Sequence, residues 1–282
     1  MPPTSDAIVR AAALLQGADG LLVAAGAGMG VDSGLPDFRG SSGFWRAYPA
    51  LGRRGVAFHE MACPASFDAE PRLAWGFYGH RLALYRATRP HAGYAILGAM
   101  AARMAQGSFV FTSNVDGQFQ RAGFGADAVV ECHGSIHQLQ CTQPCSDATW
   151  PADGFVPEVD ADACRLVSPH PLCPHCGALA RPNILMFNDS AWLPARTEAQ
   201  FARFSRWRAG VRRLAVVELG AGVDIPSVRR MAESQRVPVI RVNPRESAVD
   251  SGVALQMGAL DALRRLAAAL DLEPDQPPRL SI

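Results

Sequence analysis

The sequence predicts an α/β fold on an open parallel sheet, and three observations carry that expectation. Short, continuously apolar runs recur at Leu21-Leu22-Val23-Ala24-Ala25, Ser108-Phe109-Val110-Phe111-Thr112, Arg213-Leu214-Ala215-Val216-Val217-Glu218 and Pro238-Val239-Ile240-Arg241-Val242. A strand covered on both faces has no polar side to show, so such runs fit a buried parallel sheet. Each run ends in a polar or glycine-rich loop: Gly26 to Gly30, Ser113 to Gly117, Gly220-Ala221-Gly222 and Asn243-Pro244-Arg245. The chain of 282 residues is long enough for one large α/β domain or two smaller ones.

Taken in order, the elements begin with a helix over Ala7 to Leu15, capped by Ser5 or Asp6 and stopped by Gly17. The first strand follows, then the first glycine loop. Residues 41–106 read as a mostly helical insertion with aromatics at Trp75, Phe77, Tyr78 and Tyr85. Residues 138–180 form a second insertion rich in Cys, Pro, Asp and His. It has too few apolar runs for a core of its own and needs a metal or disulfides to hold it. No internal repeat is present, and the tail from Pro274 is expected to fray.

Composition narrows the function classes. A net charge of +1 lacks the electrostatic footprint of a general nucleic-acid or polybasic membrane binder. An apolar share of 49% speaks against global disorder. The longest apolar stretch, Leu21 to Val31, is about half the roughly 20 residues a bilayer span needs. The first residues show no basic segment before an apolar core, so no secretory signal is expected. Seven cysteines, four of them in two close pairs, suit a reducing, cytoplasmic setting with bound metal. Lysine is absent altogether; every strongly basic side chain is arginine.

Ligands of open α/β sheets bind beyond the carboxyl ends of the strands, so function should collect on the four loops. Glycines in Gly26-Ala27-Gly28-Met29-Gly30 allow backbone N–H groups to approach a pyrophosphate, although a ligand-free tight turn has the same look. Val31 stands where the third glycine of the dehydrogenase fingerprint belongs, and Asp32 to Gly40 is too rich in Gly and Pro for the usual crossover helix. A nucleotide is therefore expected, without simple hydride transfer.

At this point the sequence resembles a known family. Gly26-Ala27-Gly28-Met29-Gly30-Val31-Asp32-Ser33-Gly34-Leu35-Pro36-Asp37-Phe38-Arg39-Gly40 is similar to the signature of the sirtuins, the NAD-dependent protein deacylases. The likeness continues in order through Thr112 to Gly117, Gln120 to Gly123, His133-Gly134, two cysteine pairs, Arg181 to Phe187, Gly220 to Gly222 and Val242-Asn243. It implies a Rossmann-like domain made of residues 1–40, 107–137 and 181–273, with the helical and zinc-binding insertions carried between. It also implies an acyl-lysine peptide as substrate, NAD as cofactor and one structural zinc, with no direct role for nucleic acid or membrane.

The matched residues carry the implied roles. His133 is the expected general base toward the ribose hydroxyls, and imidazole suits that work because its ordinary pKa, about 6.5, lies near neutrality. Asn114 and Asp116 are expected at the nicotinamide ribose and carboxamide. Phe38 and Arg39 are expected on a loop over the cofactor. The remaining cofactor positions are Gly26, Ala27, Gly28, Gly30, Asp37, Ser113, Gly220, Ala221, Gly222 and Asn243, and Phe187 is placed at the substrate. Tyr78 and Arg81 stand at i and i+3 on a helix and share a face. They resemble the Tyr-x-x-Arg pair of the branch that removes succinyl and malonyl groups, since a guanidinium forks a carboxylate and a phenol adds a donor. The alternative is an aromatic in the helical core beside a surface arginine.

Cys141-Thr142-Gln143-Pro144-Cys145 and Cys173-Pro174-His175-Cys176 have the spacing of a closed tetrahedral zinc site. Disulfides are the competing reading, and His170 or His175 the competing ligands. Cys63, Cys132 and Cys164 are expected bystanders. The sequence also departs from the family: Gly30 replaces a serine, Ser113 a glutamine, Ala221-Gly222 a Thr-Ser pair, Gln118-Phe119 an apolar-His pair, and Asn188-Asp189 a Gly-Glu on the strand expected to pair with the peptide. These changes keep two other readings open, an ADP-ribosyltransferase or NAD hydrolase on the same fold, and a non-catalytic NAD-binding module.

Overall fold

A computed structural model describes residues 5–37 and 40–272. The Phe38 and Arg39 expectations, and the tail from Pro274, lie outside the described residues. The chain opens with helix α1 (Ser5–Gln16), which buries Ala7, Ile8, Ala11, Ala12 and Leu15 along one stripe. Strand β1 (Gly20–Ala25) is buried at every position. Two short 3-10 turns (Ala27–Met29 and Val31–Ser33) stand where a crossover helix would usually start. Five helices follow: α2 (Gly40–Ala47), α3 (Pro49–Arg53), α4 (Phe58–Met61), α5 (Ala65–Ala69) and the long α6 (Pro71–Ala87). Then come α7 (Ala92–Ala102), β2 (Ser108–Thr112), α8 (Gln118–Arg121) and β3 (Val129–Glu131).

The cysteine-rich segment contributes β4 (Gly134–Cys141), β5 (Trp150–Pro151), β6 (Val159–Asp160), β7 (Arg165–Leu166) and β8 (Ala180–Ile184). The chain returns through α9 (Ala195–Gly210), β9 (Leu214–Leu219), α10 (Ser227–Ser234), β10 (Val239–Val242), β11 (Gly252–Leu255) and α11 (Ala259–Ala269). The main sheet has the order β11-β10-β9-β1-β2-β3, and every neighbouring pair is parallel. Strand order reverses between β1 and β9, which makes the ends of those two strands the switch point where open α/β sheets bind ligands.

Among the described residues, three cores hold the molecule. One lies under α1, α7 and α11, against the sheet face that carries Leu21, Val23 and Val217. The second joins the opposite face, through Leu22, Phe111 and Val216, to Phe204 of α9 and Val228 of α10. The third is separate and aromatic: Phe44, Phe67, Trp75, Phe77 and Tyr78 pack with Ile136, Leu139 and Leu166.

The helical insertion expected over 41–106 divides between cores. Helices α2 to α6 belong to the aromatic core, whereas Tyr94, Ile96, Leu97 and Met100 of α7 pack under the sheet. Parallel strands β1 and β2 need a crossover between them, and α7 supplies it. The second insertion is likewise framed by strands reaching beyond 138–180, in a small antiparallel sheet of order β5-β4-β8. It leans on α6 so closely that a Cβ at Gly76 would lie 2.0 Å from the Cys164 carbonyl oxygen. Among the described residues no helix is long and apolar enough to cross a membrane.

Candidate functional site

A cleft of about 900 Å³ opens at the switch point, between the sheet and the aromatic module. From the sheet side it is lined by Gly26 and Ala27 after β1, Ser113 to Asp116 after β2, Gly220 and Gly222 after β9, and Arg245 after β10. All four strand-end loops singled out from the sequence thus meet in one space. Asp37, His133, Tyr78, Arg81 and Phe187 line it as well.

Backbone packing explains the glycines. Gly28 N–H donates to the Gly220 carbonyl at 3.1 Å, and a Cβ on Gly28 would come within 2.6 Å of Gly220 Cα. Gly220 itself has φ +60°, a conformation that side chains rarely adopt. Two loops therefore touch backbone to backbone at the switch point, and only residues without a Cβ allow it. Gly28 and Gly30 do not line the cleft; they shape the turn beneath Gly26 and Ala27.

Asn243 and Ala221 act in the same indirect way. Asn243 is wholly buried, donates to the Ala221 carbonyl at 2.9 Å and accepts from the backbone N–H groups of Arg245 and Glu246 at 3.0 Å. It ties the loops after β9 and β10 together and does not reach the cavity.

The polar side chains of the cleft are held before any ligand arrives. Asn114 donates through Nδ2 to the Gly26 carbonyl at 3.0 Å, while its own backbone N–H donates to Thr112 Oγ1. Asp116 Oδ1 accepts from the Gln118 backbone N–H at 2.9 Å. Burial pushes the Asp116 carboxyl up to about 6, against that hydrogen bond. His133 follows β3, and its Nε2 lies 3.3 Å from Ser227 Oγ at the start of α10. Burial holds the His133 imidazole below its ordinary value, with the Ser113 backbone working against the shift. At neutral pH the ring is uncharged and able to accept a proton.

The opposite wall was only partly visible in the sequence. Phe187 packs edge-on against Phe58, at 6.1 Å between ring centres, and against His59 of α4. Its backbone N–H donates to the Ala62 carbonyl, and the Leu185 N–H to the His133 carbonyl. Phe58, His59, Tyr85 and Ser227 were not anticipated as site residues: Phe58, His59 and Ser227 reach it through contacts remote in sequence, and Tyr85 was seen only as one aromatic of the helical segment.

Asn188-Asp189, expected on a strand, lie in a turn beyond the end of β8. Asn188 has φ +54°, which asparagine tolerates better than most residues. Asp189 receives both Nη atoms of Arg181 at 2.8 Å, in an ion pair that is 1% and 0% exposed. The same carboxylate accepts from the Met186 and Ala191 N–H groups, so it anchors the segment that forms the cleft wall.

At the far end of β4 and β8, the sulfurs of Cys141, Cys145, Cys173 and Cys176 all lie within 4.8 Å of one another. The Cys141–Cys176 and Cys145–Cys173 sulfurs are 3.7 and 3.6 Å apart. Zinc–sulfur bonds of about 2.3 Å in a tetrahedron place sulfurs roughly 3.8 Å apart, so the four thiols fit a zinc ion with no position left open. Neither His170 nor His175 joins this group. Cys164 is buried in the aromatic core, and Cys132 lies behind His133 with its thiol pushed up to about 12 by burial.

Comparison with known proteins gives one answer. The family described as the Sir2 family matches residues 26–202. An NAD-dependent protein deacylase 2 of Pyrobaculum aerophilum is 33% identical over 268 residues, covering 92% of this chain and 94% of that protein. An NAD-dependent protein deacylase 1 of Pseudomonas aeruginosa is 31% identical over 82% of this chain and 86% of its own. Among solved structures, a Sir2 enzyme described for its mechanism and regulation aligns with a TM-score of 0.69 and 25% identity, over 95% of this chain and 99% of its own. A Sir2 homologue in complex with NAD aligns at 0.68 and 22% identity over 95% and 96%, a likeness of fold.

Proposed function

The chain belongs to the Sir2 family, and on that premise we propose that it is an NAD-dependent protein-lysine deacylase that acts on acyl-lysine peptides at the switch-point cleft. The observation that carries the reading is the convergence of a half-buried neutral imidazole, an oriented asparagine amide and a buried carboxyl on a cavity lined by the strand-end loops. When bound, NAD would supply the ribose carbon that bonds to the acyl oxygen as nicotinamide leaves, and one water then balances the release of free lysine and O-acyl-ADP-ribose. Gly26, Gly220 and Gly222 line the cleft and have no side chain to keep its pyrophosphate from their backbone. His133 takes the proton from the ribose hydroxyl, because burial keeps its ring neutral and the Ser227 hydroxyl steadies Nε2. Asn114, fixed by the Gly26 carbonyl, presents its amide oxygen to the ribose. Asp116, largely protonated below pH 6, can donate as well as accept toward the carboxamide. The zinc holds β4 to the turn before β8 and takes no part in the chemistry.

The acyl group is read by Tyr78 and Arg81. Both are buried and line the cleft, with the guanidinium 5.8 Å from the Tyr78 ring. A cation in a poorly hydrated channel favours an acyl chain that ends in a carboxylate, by hydrogen bonds of roughly 1.5–3 kcal/mol each. Succinyl and malonyl groups are therefore the preferred substrates. The clustered thiols need a reducing setting, which supports a cytoplasmic enzyme.

Asn188-Asp189 offers no support for a switch to ADP-ribosyl transfer or plain NAD hydrolysis, because the Arg181 pair accounts for Asp189. The deciding assay supplies NAD with acetyl-, malonyl- and succinyl-lysine peptides and separates products by mass. O-acyl-ADP-ribose supports the reading; protein-bound or free ADP-ribose, or no turnover, overturns it. Equal efficiency on acetyl and succinyl peptides removes the acyl assignment alone.

A further inference from the structure

Tyr85 stands one turn beyond Arg81 on α6, at i+4, and its hydroxyl accepts two hydrogen bonds from that guanidinium: Nε at 3.0 Å and Nη2 at 2.8 Å. Both side chains are buried, at 8% and 4% exposure, and both line the cleft. The rings of Phe77, Tyr78 and Tyr85 stand around the guanidinium carbon at 5.1, 5.8 and 5.4 Å. An arginine has several rotatable bonds, and a loose one must be ordered each time a substrate binds, which costs affinity. Here a single oxygen takes two donors from one edge of the planar group, while three rings stand around it. That arrangement fixes the plane in advance.

We propose that Tyr85 is a positioning residue for acyl selection, holding the Arg81 guanidinium oriented in the cleft for an acyl carboxylate. The inference rests on the acidic-acyl reading given above. It adds a residue that does not itself bind the acyl group and that the Tyr-x-x-Arg spacing does not include. The backbone of Tyr85 is held too, since Gln118 Nε2 lies 3.5 Å from its carbonyl oxygen and 3.3 Å from that of Thr88. Replacing the phenol by a phenyl ring removes one oxygen and leaves the ring in the aromatic core.

The test is the ratio of kcat/KM for succinyl over acetyl peptide, measured in the full chain, in Tyr85→Phe, in Arg81→Met and in the double variant. Tyr85→Phe should lower the ratio by about three- to tenfold, through a higher KM for the succinyl peptide and with its kcat nearly held. In the Arg81→Met background the same change should move the ratio by less than about twofold, because the oxygen then has no guanidinium to hold. Melting temperatures are read for each protein; if Tyr85→Phe does not fold, Tyr85→Leu, which also lacks the oxygen, takes its place with the same expectation. An unchanged ratio in Tyr85→Phe, an equal loss on both peptides, or the same loss with and without Arg81 would each overturn the proposal while leaving the acidic-acyl reading intact. An unmodified protein with no succinyl preference would instead remove that reading, and this inference with it.

Discussion

On the sheet side of the cleft, the groups that face the cavity are mostly backbone and short polar side chains at strand ends: Gly26, Ala27, Ser113, Asn114 and Gly220. They are positioned by strands buried on both faces, and the loops beneath them touch where Gly28 meets Gly220. On the opposite side the cavity meets long side chains, Phe58, Tyr78, Arg81, Tyr85 and Phe187, carried by the short α4, the long α6 and the segment after β8. Their support is an aromatic core, one buried ion pair and a thiol cluster. The first wall is secured by strand pairing and burial of apolar area. The second adds to its apolar core a few specific polar contacts, each of which costs much to leave unmade. The two walls should therefore fail differently: the first through loss of chemistry, the second through loss of structure or of selectivity.

Metal removal should separate them most widely. Structural zinc in small modules is worth roughly 10–16 kcal/mol at neutral pH, so chelation should unfold the segment around β4 to β8 before the main sheet. Hydrogen exchange on chelated protein should show protection lost over residues 134–184 and kept in β1, β2 and β9. Equal loss in both regions would mean that the walls are one cooperative unit.

The next effect belongs to the sheet side. His133→Ala should reduce turnover by about 10²–10⁴-fold with the melting temperature nearly held, as expected when a positioned base is removed. Activity of the unmodified protein should also fall as pH drops through the His133 value, which burial holds below its ordinary position. If His133→Ala keeps near-native turnover, the base lies elsewhere in the cleft.

A stability test on the same wall follows from Asp116. Its carboxyl rises from 3.8 to about 6 on folding, so the folded chain binds more protons than the unfolded one between those values. The cost of burying the charge is absent below about pH 4 and complete above about pH 6. Asp116→Asn should then stabilise the fold by roughly 2–3 kcal/mol at pH 7.5 and by almost nothing at pH 4, while reducing catalysis. Denaturant melts at the two pH values check this; the same gain at both would exclude titration as its source.

The smallest expected change concerns selectivity on the opposite wall. Arg81→Met should erase a succinyl preference of about tenfold, which corresponds to 1.4 kcal/mol. Competition between the two peptides in one reaction measures it directly. A preference that survives the substitution would move carboxylate recognition to another cation of the cleft, such as Arg245.

Much of this was legible before the structure. Apolar runs mark β1, β2, β9 and β10 because a strand covered on both faces leaves its composition as a local signal. The edge strands escaped notice because β3 (Val129–Glu131) has only three residues and β11 (Gly252–Leu255) is exposed at alternate positions, so neither leaves a continuous apolar run. The paired cysteines announced their cluster because metal spacing is also local. So did the order of family motifs, which placed Asn114, Asp116 and His133 together before any fold was known.

What the sequence determined by itself, then, is whatever a short window of chain expresses: strand identity, turn glycines, cysteine spacing and the types of polar residue found at the cleft. Tertiary structure alone decided which residues meet. It joined Ser227 to His133, turned Asn243 inward to tie two loops, paired Asp189 with Arg181 and set α7 under the sheet instead of in the helical module. The Arg81–Tyr85 contact shows the boundary between the two. The i,i+4 spacing makes the pair possible on any helix, but burial among Phe77, Tyr78 and the wall of the cleft is what turns that spacing into a fixed guanidinium. Spacing is local, whereas the loss of water that gives a hydrogen bond its strength depends on the whole packed surround.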